Sequence, residues 1–366
     1  MPTLLEIPLR QSLRLVLLPL LAPGLAALTG CEKIQEMTAK DDVASTPSAP
    51  PPGASLPGTG SPPPSAPPSA PAAPKSPKQI LDDFLAKQPR LITNQDLEEL
   101  ANLPEGQDQI TLLNLSDSRV GDSGLAHVGM FPNVETLNLS GTMVSNGGLA
   151  AIADLPKLKT LALDRTQNID ETGLSPLAKC PALKEVSVQS TMVADGIFPH
   201  LKEAEGLEVL RVGDCSNLHG REFSAIVQKN GFKNLKELYA GNSPFVYYGL
   251  LELNRLKQLE VLDASHPTMN DGFIGNFQNC TKLRKLSLSN SAVSNEGLKM
   301  MSKFRQLEEL HVNGCKGIND AGLMFLKTHK QLKKLDLDGT SCTAAAVQGL
   351  KKQLPNTTIR FTGQDL

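Results

Sequence analysis

With 366 residues the chain is long enough for two domains of about 150 residues each, yet its composition argues for one folded unit. Of its 27 prolines 13 crowd between Pro47 and Pro77, aromatics are 4 % with no Trp and 3 Tyr, and hydrophobic residues reach 40 %, so the apolar mass is aliphatic, as a thin layered core requires. Lys plus Arg 36 against Asp plus Glu 38 leaves a net charge of −2, without the electrostatic footprint of a nucleic-acid binder, and 6 Cys in so long a chain make no disulfide framework.

Residues 1–30 read as a secretory signal. Arg10 and Arg14 precede the apolar run Leu15–Leu28, which is too short for an ordinary membrane-spanning helix and carries Pro19, Pro23 and Gly24. At its end, Leu28-Thr29-Gly30-Cys31 resembles the lipobox of bacterial lipoproteins. The resemblance implies cleavage between Gly30 and Cys31, diacylation of the Cys31 sulfur and acylation of the freed amine. At ~0.8 kcal/mol per buried methylene, two or three chains hold more firmly than one. Glu32 stands where Asp would favour inner-membrane retention, so the same resemblance favours the outer membrane where there are two. An ordinary signal peptide with an incidental cysteine is the alternative.

Residues 31–79 read as a stalk, and from residue 40 they are largely Pro, Ala, Ser and Gly. Such a segment cannot offset the entropy of ordering and is expected to be disordered and partly polyproline II. At ~3.1 Å per residue its proline-dense part reaches at most roughly 100 Å, a spacer between membrane and fold. A proline-rich ligand for another module is the rival reading, and glycosylation of its Ser and Thr stays open.

From residue 106 the chain repeats itself. Segments starting at Ile110, Val134, Leu158, Leu183, Leu207, Leu235, Leu259, Leu283, Leu307 and Leu332 each open a Leu-x-x-Leu-x-Leu core, in steps of 24 or 25 residues save a fifth of 28. Each core is followed by a small residue, Val or Ile, Asp or Asn, and then Gly-Leu-x-x-Leu or a near relative, as Leu307 to Leu326 shows in full. The first half alternates with period two, a strand with Leu inward; the second half has helical spacing. One unit cannot bury its own face, so the units must stack.

This pattern resembles the leucine-rich repeat family, in its cysteine-containing subtype, over roughly residues 92–361. The resemblance implies an α/β solenoid, a curved horseshoe with parallel strands on the concave face and helices on the convex face. Residues 80–105, containing the half-repeat Ile92–Leu100, are expected to form a helical amino-terminal cap, and residues 106–366 about ten repeats with Pro355–Phe361 closing the end. Asp122, Asn146, Glu171, Asp195, Asp271, Asn295 and Asp320 stand just ahead of their helices and are expected to cap them.

Chemistry is sparse. Cys215 and Cys315 fall in a column of small residues and Cys180 and Cys280 in another at helix ends, so they are expected to be free and buried, with Cys342 unassigned. The six His show no metal-binding spacing, and neither a nucleophile elbow nor a phosphate-binding loop is present. No enzyme, cofactor or metal is expected.

On this fold the concave sheet is the expected binding surface. Its middle column reads Asn114, Asn138, Ala162, Ser187, Arg211, Tyr239, Asp263, Ser287, His311, Asp336, small and polar except at the centre. Arg211, Tyr239 and Asp263 stand there, flanked by Arg165, Asp214 and His266, with His311 further along; Tyr and Arg are the types enriched at interface hot spots. The repeat breaks at the same place. The long fifth unit suggests an extra helical turn around Val227–Phe232, and Tyr247 replaces an Asp or Asn in the sixth, so all three Tyr fall in one repeat. Either these tyrosines fill a packing gap or they form a binding patch of Arg165, Arg211, Tyr239, Tyr247, Asp263, His266 and His311. The expected function is recognition of a protein or cell-surface polymer at the cell envelope by a lipid-anchored monomer; the alternative is a structural spacer without a discrete ligand.

Overall fold

The computed structural model describes residues 75–366. The signal, Cys31 and nearly all of the stalk lie outside the described residues. Ten three-residue strands recur, one per repeat: β1 Leu112–Asn114, β2 Thr136–Asn138, β3 Thr160–Ala162, β4 Glu185–Ser187, β5 Val209–Arg211, β6 Glu237–Tyr239, β7 Val261–Asp263, β8 Lys285–Ser287, β9 Glu309–His311 and β10 Lys334–Asp336. They pair in chain order, all parallel, and β11 Thr358–Phe361 continues the sheet. A last strand, β12 Gln364–Asp365, pairs antiparallel with β11 and covers that edge; nothing in the repeat pattern announced it.

Each strand is short because only the central Leu and the residue two places on turn inward. Leu137 and Leu139, Leu286 and Leu288 are fully buried, and the same columns run through every repeat. At about 1.5–3 kcal/mol per buried aliphatic side chain, stacking is what holds any one repeat in place. The helices on the other face are one to three turns long, many of them 3₁₀, which suits segments whose stability comes from packing and not from their own hydrogen bonds.

At the amino-terminal end two helices cover the first repeat. Helix α1, Pro77–Ala86, begins three residues inside the span read as stalk, because Ser76 and Gln79 close a capping box and Pro77 fits its first position. Helix α2, Asn94–Ala101, is capped likewise by Thr93 and Asp96.

The expected cap column has a different job. The helix caps are the residues one place earlier: Asp170, Asn270, Ser294 and Asn319 accept the N–H two places on at 2.8–3.2 Å. The Asp/Asn column instead reaches into the next repeat. Asp122 accepts Ser145 N–H (2.7 Å), Asn146 accepts Asp170 N–H (3.0 Å) and Glu171 accepts Ala194 N–H (3.2 Å). Asp271, Asn295 and Asp320 do the same for Ser294, Asn319 and Thr343 at 2.6–3.1 Å. Asn94 of the half-repeat starts the ladder by accepting Gly121 N–H at 2.9 Å. The repeated Gly makes room for it: a Cβ on Gly148 would stand 2.5 Å from Asp122 Oδ1, and one on Gly322 would overlap Asn295 Oδ1.

Two positions interrupt this ladder, Gly220 and Tyr247. Asp195 compensates at the first by accepting three N–H groups, from His219 (2.7 Å), Gly220 (2.8 Å) and Arg221 (2.8 Å). The insertion in the fifth repeat is not an extra helical turn. The helix Arg221–Gln228 stops, and the chain reverses through left-handed Asn230 and Phe232, at φ 66° and 53°. That turn tucks Phe232 inward, stacked on Phe223 at 5.2 Å, while Phe223 meets Phe198 and Phe245 edge-on at 5.4 and 5.1 Å. Four phenylalanines therefore fill the irregular repeats, and the tyrosines do not.

The cysteines serve packing. Cys180, Cys215, Cys280 and Cys315 are buried, Cys342 is half-buried, and none of the five is paired with another among the described residues. Cys280 donates its thiol to the Leu253 carbonyl at 3.2 Å and Cys180 to that of Ile152 at 3.5 Å. Burial pushes both thiols up, to about 12 and about 11, so neither is a nucleophile near neutral pH. His329 occupies the same helix-end column and points Nε2 at the Met301 carbonyl, 3.2 Å away.

Candidate functional site

The sheet register sets Arg211, Tyr239 and Asp263 side by side on β5, β6 and β7. The Arg211 guanidinium lies over the Tyr239 ring, 4.8 Å from its centroid. Arg211 also pairs with Glu185 on β4 and stands 3.9 Å from Glu237 Oε2, and the Tyr239 hydroxyl donates to that same Glu237 carboxylate at 2.8 Å. Burial and the Glu237 contact push the Tyr239 phenol up to about 12, so it stays a neutral donor. Each group is thus held in one orientation by neighbours on adjacent strands. Such a fixed aromatic–guanidinium pair, worth ~0.5–2 kcal/mol in itself, loses little entropy when a partner covers it.

The sheet beside this pair is bare. Gly213 and Gly241 follow Arg211 and Tyr239 at the next outward position, where neighbouring repeats carry Ser, Asp, Gln or Asn. A Cβ on Gly213 would stand 3.0 Å from the Gly241 carbonyl oxygen. Next to it, Tyr239, Asp263, Lys285, Ser287 and His311 border a shallow depression of about 310 Å³. Asp263 is committed to its own turn, accepting the Ser265 amide (3.0 Å) and hydroxyl (2.6 Å). His311 sits between Glu309 and Asp336, at 3.7 and 4.0 Å.

Tyr247 and His266 meet elsewhere, on the edge where strands end. Their rings pack edge-to-face at 6.1 Å, with Tyr247 42 % exposed. Both fill positions that break the repeat. Tyr247 replaces a ladder acceptor. His266 takes the place of residues such as Asp214, Asn242 and Asn290, which are left-handed at φ 54–58°, and Pro267 behind it forbids that turn. His266 Nδ1 lies 2.7 Å from the Thr268 hydroxyl, and burial lowers its pKa. On the same edge Arg221 lies over Tyr248 at 4.1 Å and donates to its hydroxyl at 2.8 Å.

Of the seven candidate residues, then, Arg211, Tyr239 and Asp263 form one contiguous row with His311 two strands further on. Tyr247 and His266 form a second, neighbouring pair. Arg165 belongs to neither: it is exposed, at φ 57°, and pairs with Asp117 at 2.9 Å on the amino-terminal repeats.

The remaining concave charges cancel along rows. Lys236 and Lys184 flank Glu208 (2.6 and 3.9 Å), Arg284 and Lys333 flank Glu308 (2.8 and 2.6 Å), and Lys285 and Lys334 flank Glu309 (3.2 and 3.6 Å). Being solvated, these pairs add little stability, but they leave the face without a net field.

Comparison with known proteins agrees with this architecture. A Leucine Rich repeat family profile matches residues 279–302 and 305–327. No curated protein matches the chain in sequence. Among solved structures, it is similar to an internalin of Listeria monocytogenes, at 17 % identity and TM-score 0.52, covering 72 % of this chain and 75 % of that one. It is also similar to a leucine-rich repeat protein of Leptospira interrogans, at 16 % identity and TM-score 0.50, covering 74 % and 81 %. The fold is a leucine-rich repeat solenoid, an α/β repeat architecture. Proteins of this kind are in general binding scaffolds whose curvature offers an extended concave surface.

Proposed function

We propose that this chain is a lipid-anchored protein of the bacterial cell envelope that recognises a protein or surface polymer through the concave face of β5–β7. Cys31 is the lipidation site, after cleavage between Gly30 and Cys31, and the proline-rich segment that follows is the spacer. The observation that carries the recognition reading is convergence. The orienting of Arg211 and Tyr239, the bare Gly213 and Gly241 beside them, and the two breaks in the acceptor ladder all fall within two adjacent repeats. Asp263, Tyr247, His266 and His311 border that place and would form its rim, whereas Arg165 is dropped from it. Solenoid packing needs none of the concave features, since the four phenylalanines already repair the irregular core on the other side.

The test is proximity labelling from intact cells, with the chain intact, with Arg211→Ala/Tyr239→Ala, and with Cys31→Ala. A neighbour that depends on Arg211 and Tyr239 supports recognition, and loss of membrane association in Cys31→Ala supports the anchor. Tolerance of the whole concave face to substitution would leave the spacer reading in its place.

A further inference from the structure

The solenoid has a second charged surface, at the edge where helices end and the chain turns into the next strand. In the last six repeats these connections, residues 226–234, 252–258, 276–282, 300–306, 325–331 and 350–356, hold 11 Lys or Arg and 1 carboxylate, Glu252. The equivalent connections of the first four, residues 126–133, 151–157, 176–182 and 200–206, hold 3 of each. Two of the eleven are paired, Lys233 with Glu205 at 3.5 Å and Arg255 with Glu252 at 2.8 Å. The other nine make no ion pair among the described residues, and Lys257, Lys282, Lys303, Arg305, Lys330 and Lys352 are all exposed. They form one strip because each repeat places its turn beside the last. Lys282 reaches Gln258 and Lys303 reaches Gln278 (both 2.6 Å), each one repeat back, and Lys330 reaches the Gln353 carbonyl (3.0 Å) one repeat ahead.

Cations at helix carboxyl ends do complement the helix dipole, for ~0.3–1 kcal/mol each at low salt. That does not account for the strip, because the helices of the first four repeats point the same way and their connections are balanced. Nor do the cations answer a neighbouring carboxylate, as those of the concave rows do. The strip is one turn wide and six repeats long, at least roughly 25 Å at ~4.8 Å per strand. A flat membrane would meet the balanced turns of the first four repeats as well; a linear chain of negative charge would follow the strip alone.

We infer that the edge formed by the turns of repeats five to ten is a binding site for a linear polyanion bearing closely spaced phosphate groups, separate from the concave face. The inference does not rest on the concave reading. Binding releases counterions from the polymer, so affinity falls with salt at a slope near −0.7 per neutralised charge. It also rises with polymer length until the strip is spanned.

The experiment measures binding of the full chain to long-chain inorganic polyphosphate, to triphosphate and to phosphatidylglycerol vesicles, over a series of salt concentrations. Polyphosphate is expected to bind with a steep salt slope and triphosphate far more weakly. Arg305→Gln/Lys330→Gln/Lys352→Gln should lose about tenfold or more in affinity and shallow the slope by about 2, with an unchanged melting temperature. Lys157→Gln/Lys179→Gln/Lys202→Gln should bind like the parent, and so should Arg211→Ala/Tyr239→Ala, which keeps this test distinct from the concave one. Equal affinity for triphosphate, equal loss in the Lys157/Lys179/Lys202 variant, or binding to vesicles without binding to polyphosphate would each overturn the inference.

Discussion

Replacing Asp195 by Ala tests whether the acceptor ladder, and not local helix capping, joins the repeats. Asp195 is the most heavily used member, taking the amides of His219, Gly220 and Arg221 at 2.7–2.8 Å across a repeat boundary. The Gly220 amide is partly buried, and leaving such a donor unpaired costs about 1–3 kcal/mol; the His219 and Arg221 amides are exposed, so water replaces much of what they lose. The sum is about 2–3 kcal/mol. Asn295→Ala removes two exposed bonds to Asn319, one accepted from its N–H (3.1 Å) and one donated to its Oδ1 (2.9 Å); water replaces much of both, and the loss should be about 0.5–1 kcal/mol. Asp195→Asn keeps the oxygen that serves His219 and Gly220 but turns an amide toward the Arg221 N–H, and should fall between the two. Urea unfolding followed by circular dichroism gives the ranking, and hydrogen exchange at residues 219–221 gives the location, which should speed up selectively. If Asp195→Ala costs no more than Asn295→Ala, or if exchange accelerates in the helix Ile197–Leu201 instead, the ladder is not what couples the repeats.

Two other perturbations follow from the same packing. Gly148→Ala would push a methyl to within 2.5 Å of Asp122 Oδ1 and 3.0 Å of the Asp122 Cα, and should cost about 1–3 kcal/mol in chemical denaturation; a cost below about 0.5 kcal/mol would contradict the close approach. His329 is 2 % exposed, its Nδ1 has no partner among the described residues, and burial, helped by the nearby Arg305 charge, holds its pKa below the ordinary 6.5. The unfolded chain therefore binds a proton that the folded chain refuses. Its contribution to stability is complete above pH 6.5 and declines as pH drops from there toward the lowered folded pKa. His329→Leu should flatten the stability profile between pH 6.5 and 5, leaving the slope from His266, also lowered by burial; parallel profiles for the two proteins would refute this.

How far the sequence could be read depended on whether a feature is local. The Leu-x-x-Leu-x-Leu cores and the Gly-Leu second halves announce strand and helix from neighbouring residues alone, and every strand appears where its Leu pair sits. Features made by contacts one repeat apart were misassigned or invisible. Asp271 stands ahead of a helix and looks like its cap, but its acceptor oxygens serve Ser294, 23 residues on. Phe198, Phe223, Phe232 and Phe245 are strewn over three repeats and share no local pattern, whereas the three tyrosines stand together in one repeat and yet do not fill its core. Pro267 was a legible signal that the His266 turn differs from its neighbours, once the left-handed column is known. The charged edge was hidden by the near-neutral total, since its cations recur only one or two at a time at the repeat period and carboxylates elsewhere in the chain offset them.

The proposed recognition by β5–β7 is open to a direct test. The most direct measurement compares partner capture from intact envelopes by the parent chain, by Arg211→Ala/Tyr239→Ala and by Asn114→Ala/Asn138→Ala on β1 and β2, all matched for thermal stability. Each of the two central side chains belongs to the types that carry interface hot spots, so their joint loss should weaken capture at least about thirtyfold while the outer pair leaves it within about twofold. Equal capture by all three, or equal loss in both variants, would contradict a site centred on Arg211 and Tyr239.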